Sequence, residues 1–355
     1  MPRSLVAVLS LVLLAARVHA IDPVTKAADG TPIPHPASKV TRTVKDGEKT
    51  VQVPKGMVYV PAGEFTFGTG VGAKKVKLDG FCIGKYHVTN AEYKAFLDAT
   101  GGRAPSYWTK GTYPDGKANH PVAFVSMTQA AAYAKWVSKE TGWTVALPTS
   151  EQWEKAARGP KNTLYPWGGS MDVTYKDGVL TSKFNYNGVL AAEYLKTHPT
   201  LETAYSAKSA KYGGQKVTVE KIVAYDDAGK ATAFGIGATG QVRGWVAHST
   251  NTGFIGTDLF HTLSAAGGNT TPVGTYEAGK SGYGCYDMAG NLWAWCDTKI
   301  TATNGAERGK EVNEIRGGSW YATGTSCKSV SIGEGRAPAG AYNTVGFRVV
   351  MIPKE

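Results

Sequence analysis

Leu147-Pro-Thr-Ser-Glu-Gln-Trp-Glu-Lys-Ala-Ala-Arg158 is the stretch of this 355-residue sequence that most clearly fixes a local structure. Thr149 and Gln152 form a capping box: the threonine side chain accepts from a backbone N–H of the first turn, and the glutamine reaches back. Gly159 follows Arg158, and glycine is common where a helix ends. The stretch therefore predicts a short helix that begins after Thr149 and ends before Gly159.

The same signals occur twice more along the chain. Thr89 and Glu92 begin one segment, Ser126 and Gln129 begin another, and the segments end in glycine at positions 101 and 142. Apolar residues recur at helical spacing in both, as Tyr93, Phe96 and Leu97 in the first and Tyr133, Trp136 and Val137 in the second. We predict two further helices whose apolar stripes face the core.

Strand signals begin at Met57. Val58, Val60, Phe65 and Phe67 alternate with other residues, and Pro61 and Gly63 interrupt them, which predicts two short strands. The sequence contains 44 Gly, 17 Pro and 9 Trp, a composition typical of a loop-rich fold held together by aromatic packing. The predicted class is α+β, irregular and loop-rich.

Three segments differ from this domain pattern. Residues 1–20 combine a basic start, an apolar run and a small-residue end at Ala20, which predicts a signal peptide and a mature chain beginning at Ile21. Residues 21–55 contain several prolines and little apolar periodicity, which predicts an extended tether. The domain then spans 56–353, with an insertion at about 189–268 that includes a hairpin from Val217 to Ile236.

Charge and cysteine content narrow the classes of function. The chain has 39 Lys and Arg against 28 Asp and Glu, a formal charge of +11, but the lysines are scattered and indicate no nucleic-acid partner. No mature segment has the ~20 continuous apolar residues of a membrane-spanning helix. The predicted localisation is secreted or periplasmic, and four cysteines in an oxidising compartment point first to two disulfides.

Several ordered blocks resemble the formylglycine-generating, or sulfatase-modifying factor, family. They are Met57–Phe65, Ile83–Asn90, Leu147–Arg158, Tyr165–Gly168, Tyr286–Trp295, Arg316–Trp320 and Gly346–Arg348. The resemblance covers roughly residues 57–350 apart from the insertion, and it implies an irregular α+β fold related to C-type lectins.

The resemblance also implies a chemistry that this chain lacks in part. Family enzymes bind copper with two cysteines beyond the Gly-Gly-Ser block and, with dioxygen, oxidise a substrate cysteine to formylglycine. The second of those cysteines falls on Cys327, whereas the first falls on Ala322, whose methyl group cannot bind copper. Cys327 and the neighbouring Ser319 are the candidate catalytic residues, and copper is not expected.

Family calcium sites are altered as well. Asn185 and Tyr186 match the start of one site, and Asp287 and Gly290 stand in matching positions of the other, but Ala294 replaces the family glutamate. Losing a carboxylate weakens a site that depends on the number of oxygen ligands. The resemblance leaves calcium as an option and assigns no cofactor with certainty.

The resemblance further suggests a pocket and two cysteine pairs. Around Ser319 we expect a ligand-binding pocket lined by Trp293, Trp295, Trp320 and Arg348; core packing of the tryptophans and a structural role for Arg348 are the alternatives. The expected disulfides are Cys296–Cys327, at positions where family members often carry cysteines, and Cys82–Cys285, which replace an aromatic and an aliphatic residue of the family pattern.

Two functions stay open at this point. The favoured hypothesis is an exported, non-catalytic module that presents the 320–345 loop and its surrounding pocket to an unknown peptide, protein or glycan ligand. The alternative is an oxidoreductase of the same superfamily that acts on a peptide or secondary-metabolite substrate without the two-cysteine copper centre. A functional formylglycine-generating enzyme is the third and least favoured possibility.

Overall fold

A computed structural model describes residues 41–353 apart from 177–178, 187–188, 191–207, 213–214, 226–230, 238–241, 246–262, 264, 304–306, 323 and 332–334. The predicted signal peptide, residues 21–40 of the predicted tether and much of the predicted insertion lie outside the described residues. None of the described helices is long and apolar enough to span a bilayer.

Three helices confirm the capping-box predictions. They are α1 (Asn90–Thr100), α2 (Met127–Thr141) and α3 (Ser150–Arg158), and each has both hydrogen bonds of its capping box. The chain leaves α1 and α2 in the left-handed conformation, with φ of 71° at Gly101 and at Gly142. A glycine adopts this conformation without the steric penalty of a Cβ atom.

The described strands follow one another in short segments. In chain order they are β1 (Thr41–Asp46), β2 (Lys49–Pro54), β3 (Met57–Val60), β4 (Gly63–Phe67), β5 (Lys74–Leu78), β6 (Phe81–Gly84), β7 (Val145–Ala146), β8 (Thr174–Lys176), β9 (Val179–Thr181), β10 (Lys208–Tyr212), β11 (Gln215–Tyr225), β12 (Ala231–Gly237), β13 (Val242–Trp245), β14 (Trp293–Thr301), β15 (Glu311–Arg316), β16 (Val345–Gly346) and β17 (Val350–Met351). Few helices and many small sheets give the irregular, loop-rich α+β fold expected from the sequence.

Two sheets organise the domain. The first has the order β3-β6-β17-β7, with antiparallel pairs that join the start of the domain to its end. The second has the order β15-β14-β16, in which β14 pairs antiparallel with β15 and parallel with β16. Within the predicted insertion β10–β13 form an antiparallel sheet, and β11 and β12 form the predicted hairpin.

Aromatic side chains fill the main core, as the composition suggests. The ring of Tyr133 lies 6.0 Å from that of Tyr93, 5.6 Å from that of Phe96 and 5.2 Å from that of Phe347. These rings join α1 and α2 to the C-terminal segment that precedes β17. The apolar stripes predicted from helical spacing are therefore core surfaces.

The predicted tether is wrong for residues 41–54. These residues form the hairpin β1–β2, in which Thr41 pairs with Pro54 and Asp46 with Lys49. Val51 and Val53 are buried in the main core cluster. The lysine- and threonine-rich composition concealed the strands, because the half of their residues that faces water is polar. The described domain therefore begins at residue 41.

A buried network of charges joins α3 to β15. Glu154 Oε2 accepts from Arg316 Nη1 at 2.9 Å, and Glu154 Oε1 accepts from Arg158 Nη1 at 3.1 Å and from the Gly68 amide at 2.7 Å. Arg316 also pairs with Glu314, and the side chains of Glu154 and Arg316 are fully buried. Because β15 leads directly into the Gly-Gly-Ser block, this network holds the start of that block in place.

Replacing Glu92 by glutamine should make the stability of the domain less dependent on pH. Burial raises the pKa of Glu92 from its usual 4.5 to about 7, although Thr89 donates two hydrogen bonds to the carboxylate. The folded state then favours the protonated acid. The energetic cost of ionising Glu92 is absent below pH 4.5, grows as the pH rises to 7 and is complete above 7.

Glutamine preserves the cap, because Gln129 and Gln152 fill the same position in α2 and α3. We expect Glu92→Gln to be more stable than wild type by about 1–3 kcal/mol at pH 8 and equal to it near pH 4. Urea unfolding from pH 4 to 8 measures the difference, with Gln152→Glu as the matched control in a more exposed box. If the free energy of unfolding depended on pH in the same way for wild type and Glu92→Gln, this account of Glu92 would be contradicted.

Candidate functional site

Three of the family blocks, Tyr286–Trp295, Arg316–Trp320 and Gly346–Arg348, meet at the β15-β14-β16 sheet. β14 begins at Trp293, which pairs with Val345 at the start of β16, and β15 ends at Arg316. The chain then passes through Gly317 and Gly318, whose φ angles are 102° and 80°. A Cβ atom at Gly318 would overlap the sulfur of Cys327, so the close approach of the two segments requires glycine there.

A cavity of about 460 Å³ opens at this end of the sheet. Part of its wall is apolar and comes from Trp293, Ile315, Tyr321 and Ala322. The rest carries hydroxyl groups from Ser319, Thr325, Ser326, Ser331 and Thr344, together with the guanidinium of Arg336. The volume is within the range of small-ligand pockets in proteins.

Cys327 lies directly behind this cavity and is fully buried. Burial raises the pKa of its thiol, although the backbone N–H groups of Ser319 and Gly290 oppose the shift. Ala322 packs against the same apolar cluster, which is built from Tyr165, Phe184 and other buried residues. The structure thus brings together Ser319, Ala322 and Cys327, as the family resemblance implies.

This arrangement does not fit a copper centre of the family type. Two thiolates are needed to hold Cu(I) in a site of low coordination number. Here one thiol is enclosed in the protein interior, and the group that should face it is the methyl of Ala322. Among the described residues no cluster of three or more His, Cys, Asp and Glu side chains is placed to bind a metal ion.

Neither expected disulfide is formed, and all four cysteines are buried free thiols. Cys82 lies in the main core cluster, whereas its strand neighbours Phe81 and Ile83 lie in a second cluster together with Cys285. Successive side chains of a strand point to opposite faces, so β6 separates the two thiols of the predicted pair Cys82–Cys285.

The predicted disulfide Cys296–Cys327 is not formed either, because its two cysteines also lie in different core clusters. Cys296 lies in the second cluster, on the opposite face of β14 from Trp295, whereas Cys327 belongs to the cluster behind the cavity. Burial raises the pKa of both thiols, with Arg316 opposing the shift at Cys296. The cysteines contribute to core packing.

Of the three tryptophans predicted to bind ligand, only Trp293 lines the cavity. Trp295 is fully buried and its indole N–H donates to the Val125 carbonyl at 2.8 Å. Trp320 is also fully buried, with its N–H directed to the Asn343 carbonyl at 3.3 Å. Both are core residues and do not line the cavity, which agrees with core packing, the alternative that the sequence left open.

Arg348 is likewise a buried structural residue and does not line the cavity. It is fully buried, and its guanidinium donates to the carbonyls of Gly84 at 2.9 Å, Tyr286 at 2.8 Å and Asp287 at 3.2 Å. Its remaining close neighbour is His87, whose pKa is lowered by burial and then by the charge of Arg348. Arg348 therefore joins β6 to the segment that precedes β14.

The predicted calcium ligands lie close together but do not form an oxygen cage. Asn185 donates to the Asn269 carbonyl, and its Oδ1 has no hydrogen-bond partner among the described residues. Burial raises the pKa of Asp287 to about 6, and Gly274 donates to this carboxyl group. The described side chains thus supply one vacant amide oxygen and one carboxyl group toward the six to eight oxygens that Ca²⁺ takes, and much of the insertion that follows Asn185 and Tyr186 lies outside the described residues.

The other two predicted ligands have structural roles. The ring of Tyr186 stacks on that of Phe184 at 4.5 Å in the cluster behind the cavity. Gly290 has a φ of 75°, and a Cβ atom there would overlap the Asn185 carbonyl. The Tyr186 side chain and the Gly290 backbone therefore support the fold.

Seven of the residues that line the cavity were not identified individually from the sequence, because none belongs to a motif with a chemical signature. They are Ile315, Tyr321, Thr325, Ser326, Ser331, Arg336 and Thr344. All except Ile315 lie in the 320–345 segment, whose position between two family blocks is the only sequence feature that points to them. Their convergence depends on how the segment returns from β15 to β16.

Comparison with known proteins agrees with the family blocks. The family model of the sulfatase-modifying factor enzyme 1-like domain matches residues 42–215 and 218–352. The chain belongs to the sulfatase-modifying factor family. The family match begins at residue 42, inside the hairpin β1–β2 that the sequence analysis had assigned to a tether.

Relatives of this sulfatase-modifying factor domain include one protein named as an enzyme and one named as inactive. The formylglycine-generating enzyme of Thermomonospora curvata is 24% identical, over 85% of this chain and 95% of its own length. The mouse inactive C-alpha-formylglycine-generating enzyme 2 is 23% identical, over 82% of this chain and 84% of its own length. Other matches cover only 30% and 43% of the relatives' own lengths.

The fold of the sulfatase-modifying factor domain is also found in a solved structure. PvdO from Pseudomonas aeruginosa superposes with a TM-score of 0.51 at 21% identity, covering 87% of this chain and 97% of PvdO. At this identity the likeness concerns the fold.

Proposed function

We propose that this protein is an exported, non-catalytic ligand-binding member of the sulfatase-modifying factor family. The cavity lined by Trp293, Tyr321 and Arg336 is its binding site, and the 320–345 segment forms much of the wall. The ligand is a peptide, a protein or a glycan. Export is supported by the signal-peptide pattern of residues 1–20.

One observation carries this proposal. The cavity persists at about 460 Å³, while the residues behind it lack the thiol pair of the family's oxidases: Ala322 contributes a methyl group and Cys327 is enclosed. The geometry thus supports binding and offers no two-thiol centre for oxidation. The mouse relative named as inactive is consistent with a family in which some members keep the fold without the enzymatic activity.

Blocking the cavity should abolish ligand binding. Thr325 lines the cavity and is itself exposed, so an indole at this position occupies the opening without disturbing the core. We expect Thr325→Trp to weaken, by about tenfold or more, the binding detected for the wild type on peptide and glycan arrays. Thr112→Trp, at an exposed turn residue that does not line the cavity, is the matched control.

The outcomes are distinct. Loss of binding in Thr325→Trp with retention in Thr112→Trp supports the cavity as the binding site. Equal binding by wild type and both variants would place the ligand elsewhere on the molecule. Absence of any binding on both arrays by folded wild type would contradict the proposed function.

A further inference from the structure

The polar groups of the described cavity wall are one guanidinium and several hydroxyls. Arg336 is the only charged residue among the described lining residues, and five neighbouring side chains are alcohols of serine and threonine. The described lining includes no carboxylate and no amide side chain. The guanidinium of Arg336 can only donate hydrogen bonds, whereas the hydroxyls can donate and accept, so the described wall favours a ligand group that accepts several hydrogen bonds.

Arg336 is fixed at the edge of the second sheet. Its backbone N–H donates to the Asn313 carbonyl at 2.9 Å, and the Asn313 N–H donates to the Arg336 carbonyl at 3.0 Å. The guanidinium lies 5.7 Å from the ring centroid of Tyr342. Anchoring of the backbone to β15 and contact with an aromatic ring limit the positions that the cation can take.

Arginine suits a carboxylate for geometric reasons. Its guanidinium has five N–H donors, so it can donate hydrogen bonds to a backbone carbonyl and to an anion at the same time. Arg336 Nη1 already reaches the Gly335 carbonyl at 3.5 Å. Hydrogen bonds between ionised groups are shorter and about twice as strong as neutral ones.

The opposite wall is suited to an apolar group. Trp293 and Ile315 present carbon atoms, and the ring of Tyr321 adds an aromatic face. Burial raises the pKa of Tyr321 to about 12, so its hydroxyl is neutral at physiological pH and adds no negative charge. The part of the wall that the structure describes thus combines one cation with an uncharged aromatic surface.

We propose that this cavity binds the carboxylate of an acidic peptide, with Arg336 as its cation and Trp293 and Tyr321 in contact with the adjoining apolar group. This inference rests on the proposed function, since it names the ligand class of the same cavity. A peptide is favoured over a glycan because a peptide carboxylate can carry an apolar side chain beside it, which matches the position of Arg336 next to Trp293 and Tyr321 in the cavity wall.

Two small probes that differ in one charge test the inference. N-acetylphenylalanine carries a carboxylate beside an aromatic ring, and N-acetylphenylalaninamide is its neutral match. Ligand-observed NMR titration with the full-length mature protein should give about tenfold tighter binding of the acid than of the amide. The preference should fall at high ionic strength, because salt screens the charge of an open site.

Variants locate the charge that is responsible. Arg336→Gln should remove the preference for the acid, and Arg336→Lys should retain part of it, since lysine keeps the charge without the planar fork. Arg103→Gln, at an exposed arginine outside the cavity, should bind as wild type. Far-ultraviolet circular dichroism confirms that each variant is folded, and if Arg336→Gln does not fold, the acid-to-amide ratio of the wild type and the behaviour of Arg336→Lys still test the inference.

Several results would overturn the inference. Equal binding of acid and amide by wild type would show that the carboxylate is not recognised. An unchanged preference for the acid in Arg336→Gln would show that another cation is responsible. Binding of glucuronate in place of N-acetylphenylalanine would assign the cavity to acidic glycans. If neutral peptides bind on the array and Thr325→Trp abolishes that binding, the charge inference fails while the proposed function stands; if nothing binds, both fail.

Discussion

Replacing Glu154 by alanine is expected to lower the free energy of unfolding by about 3–5 kcal/mol, because it leaves two buried guanidinium groups without their shared carboxylate. Glu154 accepts from Arg316 at 2.9 Å, from Arg158 at 3.1 Å and from the Gly68 amide at 2.7 Å. Arg316 would retain Glu314 as a partner, whereas Arg158 would retain only backbone carbonyls.

The same helix provides the control. Glu151 lies on α3 as Glu154 does, but it is partly exposed and reaches Lys74 at 3.6 Å. Glu151→Ala should change the stability by less than about 1 kcal/mol, since exposed ion pairs contribute little. Urea unfolding at pH 7 measures both variants, and Glu154→Gln separates the loss of charge from the loss of volume. A Glu154→Ala protein within 1 kcal/mol of wild type would contradict the structural role of the network.

The helices and strands predicted from capping boxes and apolar periodicity were confirmed. A capping box is a contact between residues three apart, so Thr89, Ser126 and Thr149 could be identified without knowledge of the tertiary structure. The alternation of Val58 and Val60 likewise predicts β3 from neighbouring residues. These elements depend on interactions that the chain makes within one or two turns.

The wrong predictions concern packing between distant segments. Trp295 and Arg348 belong to family blocks, but their burial depends on Val125 and Gly84, which lie far away in the sequence. The cysteine pairs failed because the face on which a strand residue lies relative to a second strand is set by the tertiary structure. Val51 and Val53 were missed because two apolar residues among lysines and threonines give a weak strand signal.

Wild-type protein should form no formylglycine, although the cavity that surrounds the family's reaction site is present. Oxidation of the family type needs two sulfurs, and the described site offers the buried Cys327 and the methyl of Ala322. Ala322→Cys restores a second sulfur at a residue that lines the cavity. Retention of Cu(I) by this variant and not by wild type would show that the missing sulfur is the defect.

The most direct test of the account is mass spectrometry of a Cys-x-Pro-x-Arg peptide incubated with purified wild-type protein, Cu(I) and dioxygen. Cys327→Ser serves as the matched control, since it removes the single thiol behind the cavity without adding bulk. The account predicts no formylglycine above the level of the protein-free reaction for either protein. Conversion of the peptide by wild type and not by Cys327→Ser would contradict it, because the protein would then be an oxidase and not a binding module.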